Sequence, residues 1–278
     1  ATISGGLSSQ SGTINPSVGH TLTVAGTGLD WQGGTLTGLG TYTLSSLTIT
    51  GSGSRVLDGP TLSVANLNLP GGSLDVQAGT LNLSGTTSIA AGATLAFSGG
   101  ALNLGGALDS AGIFDVNAGV FNLGNGGNSS GSFDAALGAT INFSGGTHNL
   151  ADGTTLSGGG NFAYTGGALD INGGITGTTV AAGTTLSANG QTFGGTGKLV
   201  NLGTFNLASS TVSGSVDNQG TLNASGASAV NGATLDLTAG ALDLAAGGTL
   251  TKGGGSVNWI GSTITGTGAL AGGLIFTG

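Results

Sequence analysis

Apolar residues recur at every second position in short runs along this chain, and glycines separate the runs. From Ser73 the chain reads SLDVQAG-TLNLSG, and the same two-strand unit returns at Thr94 (TLAFSGG-ALNLGG) and Ile113 (IFDVNAG-VFNLGN). Further copies begin at Thr140 (TINFSGG-THNLAD), Asn161 (NFAYTGG-ALDING), Thr234 (TLDLTAG-ALDLAA) and Ser256 (SVNWIGS-TITG), with an early one at Gly28 (GLDWQGG-TLTG). Alternation such as Leu74/Val76 and Leu81/Leu83 is the period of a strand with one buried face. Glycine at the end of each run permits a corner that L-residues resist.

The copies start 45, 21, 19, 27, 21, 73 and 22 residues apart, so the dominant interval is close to twenty. A unit of that size, with two or three short strands, cannot close a core alone; stacked on its neighbours ~4.8 Å apart, it can. The pattern therefore predicts an all-β fold, a β-solenoid, as a right-handed parallel β-helix of about 14 coils of about 20 residues. It is read as one domain over residues 1–278, a rod of roughly 65 Å at the interstrand spacing, with Leu, Val, Ile and Phe facing inward.

The 27-residue interval reads as a loop inserted at 125–132 (NGGNSSGS), and the 73-residue gap holds weaker copies from Gly197 and Ser215. The units at Gly28 and Ser256 are more alike than their neighbours, which suggests a 228-residue super-repeat within a longer repetitive chain. An antiparallel sandwich would need hairpin turns at the strand period; Asn172-Gly173, Asn189-Gly190 and Asn231-Gly232 do not recur at it.

Composition narrows the class. Gly supplies 62 of 278 residues, charged residues are 5%, and Glu, Met and Cys are absent. Without the good helix formers a helical fold is excluded. Three prolines and no strict Gly-X-Y period exclude collagen. Leu, Ile, Val and Phe make up about a quarter of the chain, enough to bury a core. The net charge is −8, and Arg55, Lys198 and Lys252 are the only Lys and Arg residues. Nucleic acid and anionic membranes are therefore not expected as partners. No run of ~18 apolar residues offers a membrane-spanning helix. Zero Cys removes disulfides, a thiol nucleophile and Cys-ligated zinc.

The stretches 199–207 (LVNLGTFNL) and 217–223 (DNQGTLN), with the ALNLGG-type units, resemble filamentous-haemagglutinin repeats and the passenger domains of autotransporter adhesins. The resemblance covers most of residues 20–278. It implies the shaft of a large protein secreted to the surface of a Gram-negative-type bacterium. Contacts to a host surface or carbohydrate would then come from loops such as 125–132 or from other parts of the protein. Asn15-Pro16 alone does not make a secretion motif, so the chain reads as shaft rather than export module.

Enzymes also occur on β-helices, so carboxylate placement matters. A glycosidase needs two carboxylates about 5 Å or about 6.5–9.5 Å apart, meaning Asp residues on adjacent coils of one outward face. Aligning the units gives one outward column of Asp75, Ala96, Asp115, Asn142 and Ala163, and a second of Asn82, Asn103, Asn122, Asn149 and Asp170. Asp never follows Asp in either, and the second column reads as an amide ladder. Arg55 has only Asp58 near it in sequence, too little for a lyase base. Asp236 and Asp243 hold the same place in consecutive half-units, but a calcium site needs about six oxygens, so they read as solvated turn residues.

His20 stands alone. His148 takes the inward place where other copies carry Leu102 or Phe121, and reads as a core residue rather than a metal ligand. Ser is plentiful, but no nucleophile elbow occurs. Trp31 and Trp259 hold one place in their units, with Phe97, Phe143 and Tyr164 equivalent elsewhere; alternation makes them core stackers before sugar platforms. Thr-x-Thr pairs at 21/23, 35/37, 41/43, 48/50 and 263/265 follow spacings of 14, 6 and 7, so no single ice-binding face is expected. No catalytic, cofactor or metal site is expected.

The functional expectation is a non-enzymatic extracellular structural or adhesive solenoid, the rigid shaft of a secreted bacterial surface adhesin. The alternative is a filament subunit that associates end to end, because neither ATISGG nor the closing Leu274, Ile275 and Phe276 looks like a polar cap. A β-helical carbohydrate-active enzyme is the third reading.

Overall fold

The computed structural model describes residues 1–272 and the strand Leu274–Phe276. Among the described residues there are strands and corners and no helix. The closing apolar run pairs through its backbone, Leu274 opposite Val257. Its side chains, with Gly273, Thr277 and Gly278, lie outside the described residues.

The chain divides into two compact units, Ala1–Ala118 with Asn125–Gly127, and Gly119–Gly124 with Asn128–Gly278. Each is a β-solenoid of parallel stacked strands, and the chain makes about 14 turns of roughly 20 residues. In the first unit, strands Thr13–Ile14, Thr35–Leu36, Ser54–Leu57, Ser73–Val76, Thr94–Phe97 and Ile113–Val116 stack in order on one face. In the second, Val120–Leu123, Thr140–Phe143, Asn161–Tyr164, Thr185–Asn189, Thr204–Ala208, Thr221–Ser225, Ala241–Leu244 and Thr263–Gly266 form an 8-stranded parallel sheet.

Alternation sets which side chains stack inside. In the second unit Phe121, Ile141, Phe162, Leu186, Phe205, Leu222 and Leu242 lie one above another in register. All seven are buried. In the first, Tyr42, Leu62, Leu81 and Leu102 form the matching column. Each such side chain contributes about 1.5–3 kcal/mol of burial, and its methyls meet like groups above and below. Corners are set by glycine. Gly240 has φ +69°, and a Cβ there would lie 1.8 Å from the carbonyl oxygen of Gly220 in the adjacent coil.

A coil closes with three strands, the upper of the two or three expected for a unit of about twenty residues. The strand–glycine module is the same on every side: Ser73–Val76 and Thr80–Leu83 are both alternating four-residue strands, yet they belong to different sheets. This explains the odd intervals. Ile113–Val116 and Thr140–Phe143 lie in different sheets, so 27 residues is one coil plus one more strand. The segment 125–132 is therefore not an inserted loop, because it contains the strand Gly127–Ser129, which pairs with Thr147–Leu150. Asn149 Nδ2 donates to Asn128 Oδ1 at 2.8 Å and Thr154 Oγ1 to the carbonyl of Ser129 at 2.7 Å, so this strand holds without apolar alternation. The super-repeat fails for the same reason: Leu29–Trp31 and Ser256–Trp259 sit in different sheets. In the first unit, Thr41–Ile49 bends round a corner to pair with both Thr21–Val24 and Leu29–Trp31.

Candidate functional site

The polar exterior is arranged by the same registers that build the core. In the first unit Asn103 Nδ2 donates to Asn82 Oδ1 at 2.7 Å, continuing the expected ladder. The column then departs from the sequence alignment. Asn122 lies beside Asn142, whose Nδ2 donates to it at 2.9 Å, rather than between Asn103 and Asn149. Asp75 and Asp115 flank Ala96 as expected, but Asn142 and Ala163 belong to another sheet. The ladder resumes higher in the second unit, where Asn223 Nδ2 donates to Asn206 Oδ1 at 2.8 Å and Asn206 Nδ2 to Ser187 Oγ at 2.9 Å. Amides suit such a column because each is donor and acceptor at once, whereas stacked carboxylates repel.

Acids also stack. Asp217 and Asp236 are in register on adjacent coils, each half-exposed. Their oxygens are already occupied: Asp217 accepts from Gln219 Nε2 at 3.1 Å and Thr238 Oγ1 at 2.8 Å. Asp236 accepts from Asn258 Nδ2 at 2.6 Å and Thr234 Oγ1 at 3.0 Å. Neutral donors thus hold each carboxylate in place. Asp243 lies on a different sheet, above Asn223 and bonded to Thr265, so Asp236 and Asp243 do not meet. Among the described residues no cluster of three or more His, Cys, Asp or Glu forms.

Two of the three cations, Arg55 and Lys252, turn inward, while Lys198 stays half-exposed. Arg55 is buried where a coil above has Leu74, and its guanidinium donates to the carbonyls of Trp31, Gln32 and Thr50, away from exposed Asp58. Its donors are taken up by the carbonyls of a corner. Nearby Asp30 is held below the usual carboxylate range by hydrogen bonds from Thr50, at 2.5 Å, and from Gln32, with a smaller contribution from Arg55. Lys252 is also buried, and its Nζ donates to the carbonyls of Gly232 and Gly254; burial lowers its pKa.

His148 is 3% exposed, with Nε2 3.2 Å from the carbonyl of Leu123 and its ring edge-on to Phe143 at 5.1 Å. Desolvation pushes its pKa down. The ring of exposed His20 meets the carbonyl of Val18 through Nδ1 at 3.1 Å. Trp31, Phe143 and Tyr164 are core residues as expected, whereas Trp259 and Phe97 are half-buried. The Tyr164 ring stacks edge-on with Phe193, and Phe193 with Phe205, at 5.1 and 5.4 Å.

The chain matches no protein-family model, no curated protein and no solved structure.

Two further features of the polar groups are not legible in the apolar pattern of the sequence. Asn201 and Asn218 are fully buried and stacked, Asn201 Nδ2 donating to Asn218 Oδ1 at 2.7 Å and to the carbonyl of Thr221 at 2.9 Å. Asn218 Nδ2 donates onward to the carbonyls of Gly220 and Ala241. The signal was the inward parity of each Asn in LVNLGT and VDNQGT. Second, Thr21/Thr23 and Thr41/Thr43 do share a face: they pair in register, and Thr61/Ser63 and Thr80/Asn82 extend both columns. The spacing that matters is the 20 residues between alternate pairs, hidden because Thr35 lies in another sheet. Along this face the first unit also has an open groove of about 420 Å³ lined by Thr43, Ser63, Ala65, Asn82 and Ser84 among others.

Proposed function

We propose that the chain is a non-enzymatic structural element of the extracellular space, the shaft of a secreted bacterial surface adhesin of the filamentous-haemagglutinin or autotransporter-passenger kind. The observation that carries this reading is the continuity of the ladders within each unit. Successive coils are joined by parallel backbone pairing, and outside by amide and hydroxyl columns such as Ser187–Asn206–Asn223. Paired backbone resists proteases, which need an extended unpaired segment, and the surface charges are sparse and nearly all aspartate, leaving a polar, weakly acidic exterior. Ligand contacts to a host surface or carbohydrate then fall to exposed corners or to other parts of the protein.

Limited proteolysis with negative-stain electron microscopy over a range of concentrations tests the proposal. A chain that outlasts excess protease as discrete particles supports the shaft. Fibres that lengthen with concentration favour the alternative, a filament subunit joined through open strand edges. Early cleavage inside the stacked strands would sink both.

A second reading is favoured by the hydroxyl columns of the first unit. A regular two-column grid of Thr and Ser side chains suits a crystalline surface such as ice. Inhibition of ice recrystallisation, lost on Thr43→Arg, would support it; a chain without that activity excludes it.

A further inference from the structure

We propose that Asn231 deamidates spontaneously, turning one corner of the second unit from a neutral amide into a carboxylate beside the ammonium of Lys252. Four Asn-Gly steps occur in the chain, at Asn125, Asn172, Asn189 and Asn231. In each the following glycine has no Cβ to keep its nitrogen from the side-chain carbonyl. Three of the four are restrained. The N–H of Gly190 is tied to the carbonyl of Ala208 at 2.8 Å. The amide of Asn172 donates to Asn149 Oδ1 at 3.3 Å, and that of Asn125 to the carbonyl of Leu104 at 2.8 Å. At Asn231 neither restraint is present. The residue is exposed, and among the described residues neither its side chain nor the N–H of Gly232 makes a hydrogen bond.

An independent observation places a cation at this corner. Lys252 is buried above Val230, its Nζ donating to the carbonyls of Gly232 and Gly254, and no carboxylate of the described residues bonds it. A buried ammonium with only carbonyl partners is costly to keep and gains from an anion nearby.

In the reaction, the nitrogen of Gly232 gives up its proton to solvent and attacks Cγ of Asn231. The N–Cγ bond forms and the Cγ–Nδ2 bond breaks; Nδ2 takes one proton from solvent, replacing the one given up by Gly232, and leaves as ammonia, and the product is a five-membered succinimide. Water then adds to one imide carbonyl and reopens the ring as aspartate or isoaspartate. One water is consumed and one ammonia released. The Lys252 ammonium, already bonded to the carbonyl of the attacking Gly232, is the cation of this corner that would offset the negative charge developing on Asn231 Oδ1.

The test ages the full chain in mildly alkaline buffer and follows the four Asn-Gly peptides by mass spectrometry. The expected result is amide-to-acid conversion several-fold faster at Asn231 than at Asn125, Asn172 or Asn189, and several-fold slower at Asn231 in Lys252→Met. Equal rates at all four sites, or an unchanged rate in Lys252→Met, overturn the proposal. Asn231→Asp needs no change at Lys252: its denaturation midpoint is expected to rise, and an unchanged or lower midpoint counts against the pairing.

Discussion

At the scale of single residues, the polar groups inside the coil differ in how complete their partners are: Asn218 bonds on every side, whereas Thr87 Oγ1, Thr178 Oγ1 and Asn201 Oδ1 are buried without one. Burial disfavours the imidazolium of His148 and holds its pKa below the ordinary histidine value. The unfolded chain takes up this proton near pH 6.5, the folded chain only at lower pH. The unfolded state therefore binds more protons as pH falls through that window, and stability present above it is lost. His148→Leu, which places leucine beside Leu169, should remove this loss. The measurement is the denaturation midpoint between about pH 7 and pH 5, the range a histidine spans. Parallel declines in the two proteins would show that His148 contributes nothing to the pH response. The two kinds of asparagine ladder should also differ. Asn218→Ala strips buried Asn201 and two corner carbonyls of their partner, a loss of about 2–3 kcal/mol. Asn206→Ala removes a half-exposed rung whose neighbours turn to water, so about 1 kcal/mol or less is expected. Urea midpoints of the two variants compare them directly, and equal shifts would refute the distinction.

At the scale of strand and corner, glycine has two separable roles. Gly240 and Gly183 both have left-handed φ, +69° and +79°, but a Cβ at Gly183 meets nothing within 4 Å. Gly183→Ala should cost about 1–2 kcal/mol of backbone strain alone. Gly240→Ala adds a collision with the carbonyl of Gly220 and should cost clearly more; similar thermal midpoints would mean the corner relaxes freely. These local rules are why the strands, their inward faces and the solenoid were legible from alternation and glycine spacing. The assignment of strands to faces was not, because SLDV and TLNL are physically interchangeable and only closure of a whole coil distinguishes them. Gly127–Ser129 was invisible for a different reason: its strand is held by ladder bonds and amides, with no apolar side chain to announce it. The Asn201–Asn218 ladder was written in the parity of the chain, but an alternation template that sends Asn outward passes over it. The stacking of Asp217 on Asp236 is hidden because the copy that carries Asp217 is degenerate and its strand SVDN lacks a second apolar residue to set its register.

At the scale of the whole stack, a solenoid is close to one-dimensional. Each coil touches the one before and the one after, so stability is a sum of coil terms and nearest-neighbour terms, and a lesion spreads by fraying rather than all at once. In the second unit, Ala241–Leu244 pairs only with Thr221–Ser225 and Thr263–Gly266. Gly240→Ala strikes the corner that launches Ala241–Leu244. Hydrogen exchange should therefore accelerate most from Ala241 to Gly266, less in Thr221–Ser225, and not at all in Asn161–Tyr164, four strands down the same sheet. A uniform acceleration across these strands would instead mean that the unit opens as one cooperative body. Graded loss is also what a mechanical shaft requires, since a break confined to one coil leaves the ladders on either side intact and able to re-pair.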